Sequence, residues 1–208
     1  MNININGTNK KLFTSNKISE RGGMMKDNEL WLIEQSRKGN VDAFEELIKD
    51  YKKSAYHIAL RVLRNVEDAE DVSQEALIKV FKNVQNFNMQ STFKVWMYRI
   101  VVNACFDFKR KKTIDAYSIN EAVNFVGSNS NNPDAMVDNN FNSRMVSDAV
   151  NKLEDDFKTI IILRDIQGFS YNEISEILFC NLGTVKSRIN RARKCLKEII
   201  EDELKIPC

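Results

Sequence analysis

Proline and glycine are scarce in this chain, at 2 and 7 among 208 residues. All-β sandwiches and barrels need frequent turns rich in both, so an all-α fold leads. Long apolar runs are missing too. The densest patch is Ile160-Ile161-Ile162-Leu163, far short of the roughly 18 residues that a membrane span requires. No apolar stretch follows the basic N-terminal residues, which argues against a secretory signal and for a cytoplasmic protein. Histidine occurs once, at His57, and Cys105, Cys180, Cys195 and Cys208 lie far apart. Zinc-knuckle and redox spacings are both absent, so neither a metal nor a cofactor is expected. The thiols read as small buried hydrophobes plus one terminal surface group, which suits a reducing compartment.

What the chain does have is segregated charge. Its 31 basic and 29 acidic side chains nearly cancel, so the whole molecule projects no strong field. Locally, Glu67, Asp68, Glu70, Asp71 and Glu75 form an acidic run, and Lys109-Arg110-Lys111-Lys112 a basic one. Lys186, Arg188, Arg191, Arg193, Lys194 and Lys197 crowd six cations into twelve residues. Concentrated basic stretches in a near-neutral chain point to a surface that meets phosphate.

The pattern divides the chain into two small helical domains joined by a flexible linker. Residues 1–25 are Asn-rich without helical period and read as disordered. Glu20-Arg21-Gly22-Gly23 before Met24-Met25 is also what a purine-rich ribosome-binding sequence would encode, so this stretch can precede the true start. Residues 26–112 show helical periodicity. A short helix lies near Leu30–Arg37. Phe44, Leu47, Ile48, Tyr51, Ala55, Ile58, Ala59 and Val62 mark one buried face, with Asp42 as its expected cap. Val66–Asn83 forms the next helix. Gln85–Thr92 is a polar loop, and a helix carrying Phe93, Trp96, Met97, Ile100, Val101 and Ala104 runs into the basic stretch. Residues 113–142 break the pattern and read as the linker. Residues 143–208 are helical again: Ser170 and Glu173 form a capping box, and Asn181 caps a last helix with Val185, Ile189, Ala192, Leu196 and Ile199 inward.

On that last helix the apolar stripe fixes what points away: Lys186, Ser187, Asn190, Arg191, Lys194 and Lys197, with Arg188 and Arg193 on the flanks. A short capped helix, a tight turn and a longer helix with a basic and amide face is the helix-turn-helix plan. Arg and Asn there make bidentate contacts to bases, while lysines reach phosphates. On this evidence alone, a helix-turn-helix regulator that does not melt DNA remains an alternative, as does a helical adaptor for an acidic partner.

Tyr171-Asn172-Glu173-Ile174-Ser175-Glu176-Ile177-Leu178 followed by Gly183-Thr184-Val185-Lys186-Ser187-Arg188-Ile189-Asn190-Arg191-Ala192-Arg193 resembles region four of bacterial extracytoplasmic-function (ECF) sigma factors. Many members have glycine where this chain has Phe179. Ala69-Glu70-Asp71-Val72-Ser73-Gln74-Glu75-Ala76, then Phe93-Lys94-Val95-Trp96-Met97-Tyr98-Arg99-Ile100 and Asn103, resembles region two of the same family. The resemblance implies a non-catalytic transcription factor that binds core RNA polymerase at the β′ clamp and β flap. It also implies promoter DNA and an anti-sigma factor as partners, the latter able to hold the protein at the inner face of the membrane, and no small-molecule substrate. Carried over residue by residue, it assigns Asp68, Asp71, Gln74 and Glu75 to polymerase. Thr184, Lys186, Ser187, Arg188, Asn190, Arg191 and Lys194 fall on the minus-thirty-five element. Asn86, Phe87, Asn88, Met89, Gln90, Tyr98, Arg99, Asn103, Lys109 and Arg110 fall on the melted minus-ten element, with Phe87, Met89 and Tyr98 offering stacking surface. Trp96 lies on the apolar stripe and is expected in the core.

Overall fold

The computed structural model describes residues 27–120 and 141–205, and these contain helices and turns without a strand. The readings for residues 1–25, for the middle of the linker and for Cys208 lie outside the described residues.

The first module is built from α1 (Asp27–Arg37), α2 (Val41–Leu63), α3 (Val66–Asn83) and α4 (Phe93–Asn120). The cap of α2 is Asn40 and not Asp42: its side chain accepts the Ala43 N–H at 3.0 Å, while Asp42 sits in the first turn, where a negative charge favours the helix dipole. Helix α2 ends at Arg64, whose left-handed φ of 61° lets its N–H reach Leu60 O. Asn65 then caps α3 by accepting the Asp68 N–H at 2.8 Å. Phe44, Leu47, Ile48, Ala55, Ile58, Ala59 and Val62 of α2 are buried against Ala69, Val72, Ala76 and Val80 of α3 and against α4. Trp96 is buried, as expected.

Helix α4 does not stop at the basic run. It continues to Asn120, into the stretch read as linker. Lysines and arginines are good helix formers when solvated, and Lys112 reaches back to Asp68 of α3 at 2.8 Å.

The second module comprises α5 (Phe141–Lys152), α6 (Asp155–Ile161), a π-helical turn over Ile162–Ile166, α7 (Tyr171–Ile177) and α8 (Leu182–Lys205). Gly168, at φ +74°, turns the chain between the π segment and α7. The capping box is formed: Ser170 Oγ accepts the Glu173 N–H at 3.2 Å, and the Ser170 N–H donates to Glu173 Oε2 at 2.7 Å. Val185, Ile189 and Ala192 of α8 are fully buried.

The modules touch. Helix α7 packs against α4, and α6 against α2, so one apolar core runs from Leu32 through to Ala192. No helix among the described residues is long and apolar enough to cross a membrane.

Candidate nucleic-acid interface

Asn181 caps the start of α8. Its Oδ1 accepts both the Thr184 N–H and the Thr184 hydroxyl at 2.8 Å, so one orphan backbone donor at the start of α8 and one hydroxyl are satisfied by one side chain. Thr184 is thereby occupied and half-buried. Lys186, Ser187, Asn190, Arg191 and Lys194 are exposed on the outward face. The six cations are not equivalent. Arg188 is half-buried and pairs with Asp156 of α6 at 3.6 Å. Arg193 is held by Asp165 of the π-helical turn, a bond that raises its already high pKa. Lys194 and Lys197 lean on Glu198 and Glu201, one turn along. Lys186 and Arg191 join no ion pair among the described residues, so their charges remain for an outside phosphate or base. Arg188 thus also links α8 to α6 within its module, a contact that the sequence did not announce.

The turn before α8 keeps its left-handed residue. Phe179 takes φ +49° and is 88% exposed, a left-handed conformation that a residue with a Cβ adopts at the expense of backbone strain.

In the first module the loop amides behave as expected from the sequence: Asn86, Asn88 and Gln90 are exposed, and Asn88 folds its Oδ1 onto the Gln90 N–H at 3.2 Å. Met89 is half-buried and holds φ +58°. Two aromatic expectations are corrected. Phe87 is 1% exposed, edge-on to Phe93 at 5.8 Å and against Trp96 at 5.1 Å, so its ring anchors the loop to the core instead of facing a strand. Tyr98 is 2% exposed, enclosed by Tyr51 of α2 and by Phe169 of the second module. Burial raises its phenol pKa. Asn103 and Arg110 are exposed, and Arg110 pairs with Asp107 at 2.7 Å.

Arg99 and Lys109, the other α4 residues assigned to the strand, face the second module. Lys109 is bonded to Asp155 of α6. Burial raises the Asp155 carboxyl, but Lys109 and Lys158 outweigh it and leave the carboxyl below its ordinary value. The Lys158 ammonium, almost wholly buried, is lowered by desolvation and then by Arg64. Arg64 in turn donates to Asn151 O across the same boundary. Further along, burial raises Glu176 while the Arg99 guanidinium draws it back. Phe169 fills the centre, with its ring 5.3 Å from Tyr98 and under the Lys94 ammonium at 4.5 Å. Sequence reading missed Phe169 and Lys94. The available signal was a second apolar row on α4 (Val95, Tyr98, Val102 and Cys105), all buried, which a helix with a single packed face does not need. Cys105, deep in that row, has its thiol pushed up to about 12 by burial.

The acids of α3 split in the same way. Asp71, Gln74 and Glu75 are exposed, with Glu75 paired to Lys79 at 2.9 Å, and Asp68 is half-buried against Lys112. Among the described residues no group of three His, Cys, Asp or Glu side chains is placed to hold a metal.

This geometry, an acid-faced helical bundle carrying polar loop amides and a second module whose last helix has an outward basic face, meets its family in the comparisons. Residues 47–114 match the Sigma-70 region 2 family and residues 143–196 match Sigma-70, region 4. The ECF RNA polymerase sigma factor SigW of Bacillus subtilis is 36% identical over 179 residues, spanning 82% of this chain and 95% of the relative. The ECF RNA polymerase sigma-E factor of Haemophilus influenzae is 34% identical over 82% of this chain and 94% of its own. Among solved structures, the sigma factor RpoE from Bartonella quintana, in complex with the anti-sigma factor NepR, is 27% identical with a TM-score of 0.66, over 77% of this chain and 98% of that one. The chain belongs to the ECF sigma factors of bacterial RNA polymerase. That membership closes the alternatives of a non-melting regulator and an adaptor.

Proposed function

We propose that this protein, without catalysis of its own, binds core RNA polymerase and directs it to promoters whose minus-ten and minus-thirty-five elements its two modules read separately. The observation that carries the reading is the outward face of α8, where Lys186, Ser187, Asn190 and Arg191 stand exposed on a helix whose opposite face is buried. Asn190 and Arg191 offer the amide and guanidinium that read adenine and guanine edges in a major groove, and Lys186 offers charge to phosphate. Asn86, Asn88 and Gln90 supply amides for single-stranded bases at minus ten, with Arg99, Asn103, Lys109 and Arg110 along the backbone. Asp71, Gln74 and Glu75 give α3 an acidic face for the β′ clamp, and the second module meets the β flap. By likeness to relatives solved with anti-sigma factors, such a factor restrains the free protein and can hold it at the membrane.

Run-off transcription with purified core polymerase on genomic DNA tests the reading: discrete new transcripts are expected, and silent templates overturn it. Arg191→Ala should cut transcript yield at least about tenfold, the loss of one bidentate contact. Lys186→Ala should weaken all sequences alike and flatten the slope of log affinity against log salt by about 0.9.

A further inference from the structure

Resting on the reading that α8 enters the minus-thirty-five duplex, we infer that Phe179 and Leu182 form an apolar lip at its leading end that reads thymine C5-methyl groups. The lip adds a non-polar code to the amide and guanidinium contacts of Asn190 and Arg191.

Phe179 combines two unfavourable features, a left-handed backbone bearing a Cβ and a large apolar side chain left in water. At 88% it is the most exposed large hydrophobic residue among those described. The turn holds it there from both sides. The Leu178 N–H donates to Ile174 O at 2.9 Å and the Cys180 N–H to Ser175 O at 3.0 Å, while Cys180 packs on the core and Asn181 caps α8. A side chain presented outward by a tied-down turn is pre-organised for a contact outside its own module.

Leu182 continues the same surface. It opens α8 and is exposed, whereas the next apolar residues along the helix, Val185 and Ile189, are buried. Counting in fours from Leu182 leads to Lys186 and then Asn190, both exposed, so the three share one strip of the helix. Leu182 is thus the first member of a row that the DNA reading already uses. Gly183, exposed and without a side chain, follows it and lets a base edge come close to the first turn.

The chemistry of the groove selects the occupant. Base edges in a major groove are donors and acceptors except at thymine, which presents a methyl group. Phe and Leu side chains cover a methyl without leaving a polar group unpaired, and cover any other edge at the cost of its hydrogen bonds. Neither residue carries charge for a phosphate, so the contribution of the lip depends on sequence and not on salt.

Uracil isolates this contact, because it lacks only the methyl and keeps the hydrogen-bonding groups of thymine. The test takes a promoter identified by run-off transcription, randomises its minus-thirty-five element and lets holoenzyme, assembled from the full-length chain and core polymerase, select from the pool. Each thymine of the selected duplex is then replaced by uracil, and affinity is measured by competition. Where the lip reaches, uracil should weaken wild type about fourfold per methyl, by the same ratio at low and high salt. Phe179→Gly and Leu182→Ala should each abolish the preference at one such position. Phe179→Gly relieves the strained turn, so its loss of preference does not come from unfolding. Equal binding of thymine and uracil by wild type overturns the inference, and so does a preference that survives both substitutions. A variant that loses core polymerase but keeps the methyl preference overturns it too, by assigning the lip to polymerase. If no sequence is selected, or Arg191→Ala selects the same sequences as wild type, the reading of α8 as the DNA-facing helix falls instead.

Discussion

A left-handed residue with a side chain carries a measurable penalty, and Phe179, 88% exposed, adds an apolar side chain left in water. Glycine reaches the same φ without a Cβ clash, so Phe179→Gly should stabilise the second module by about 1 kcal/mol. Thermal unfolding should show this as a rise of a few degrees, and a fall would mean that the ring makes contacts worth more than the strain. His57 is a second residue at odds with its surroundings. Its Nε2 is buried with no hydrogen-bond partner, and desolvation, then Lys53 and Arg61, holds the imidazole below its ordinary 6.5. The folded state thus resists a proton that the unfolded chain accepts near pH 6.5. Stability should be level above that value, decline as pH drops below it, and flatten again once the folded pKa is passed. His57→Leu should erase this step in denaturant titrations run between pH 5 and 7. If the wild-type slope survives the substitution, its source is elsewhere.

Among the elements, those with one packed face were legible in advance and those with two were not. Val66–Asn83 was bounded correctly because a single stripe of Ala69, Val72, Ala76 and Val80 alternates with solvated acids. Helix α7 announced itself by chemistry more than by period, through Ser170 and Glu173. Removing that hydroxyl should show its worth: Ser170→Ala is expected to lower stability by about 1 kcal/mol in chemical denaturation while leaving promoter sequence preference unchanged. No loss would mean that water caps the helix equally well. Helix α4 defeated the pattern twice. Its length was obscured by Lys109–Lys112, which look like a terminus but are held, Lys109 by Asp155 and Lys112 by Asp68. Its second apolar row is visible in the sequence, but its partner is not, because Phe169, which packs on Tyr98 from the side opposite α2, lies in the other module. The same limit applied on α8, where nothing in the sequence signalled that Arg188, on the flank of the wheel, pairs with Asp156 of α6. The exposure of the loop amides and of the outward residues of α8 needed no distant partner, so it was legible from the sequence alone.

For the whole molecule the decisive quantity is reach. Twenty residues lie between Asn120 and Phe141, and at most they extend about 70 Å. Each module has a radius near 15 Å by the size scaling of compact domains, so the two reading surfaces can stand roughly 100 Å apart. That exceeds, with little to spare, the ~85 Å of duplex between promoter elements centred about 25 base pairs apart. Deleting twelve of the residues within 121–140 leaves eight, or about 28 Å of chain, and cuts the total reach to nearly 60 Å. The shortened protein should therefore lose transcription from two-element promoters. It should still bind a minus-thirty-five duplex through α8 with unchanged affinity, because Lys186, Asn190 and Arg191 and their support from Asn181 lie wholly within the second module. Replacing the twelve residues with a Gly/Ser segment of equal length should restore transcription, since reach and not side-chain identity is what the segment supplies. Run-off yield and fluorescence anisotropy on the three proteins separate the cases. A shortened chain that transcribes like wild type would show that the modules need not part.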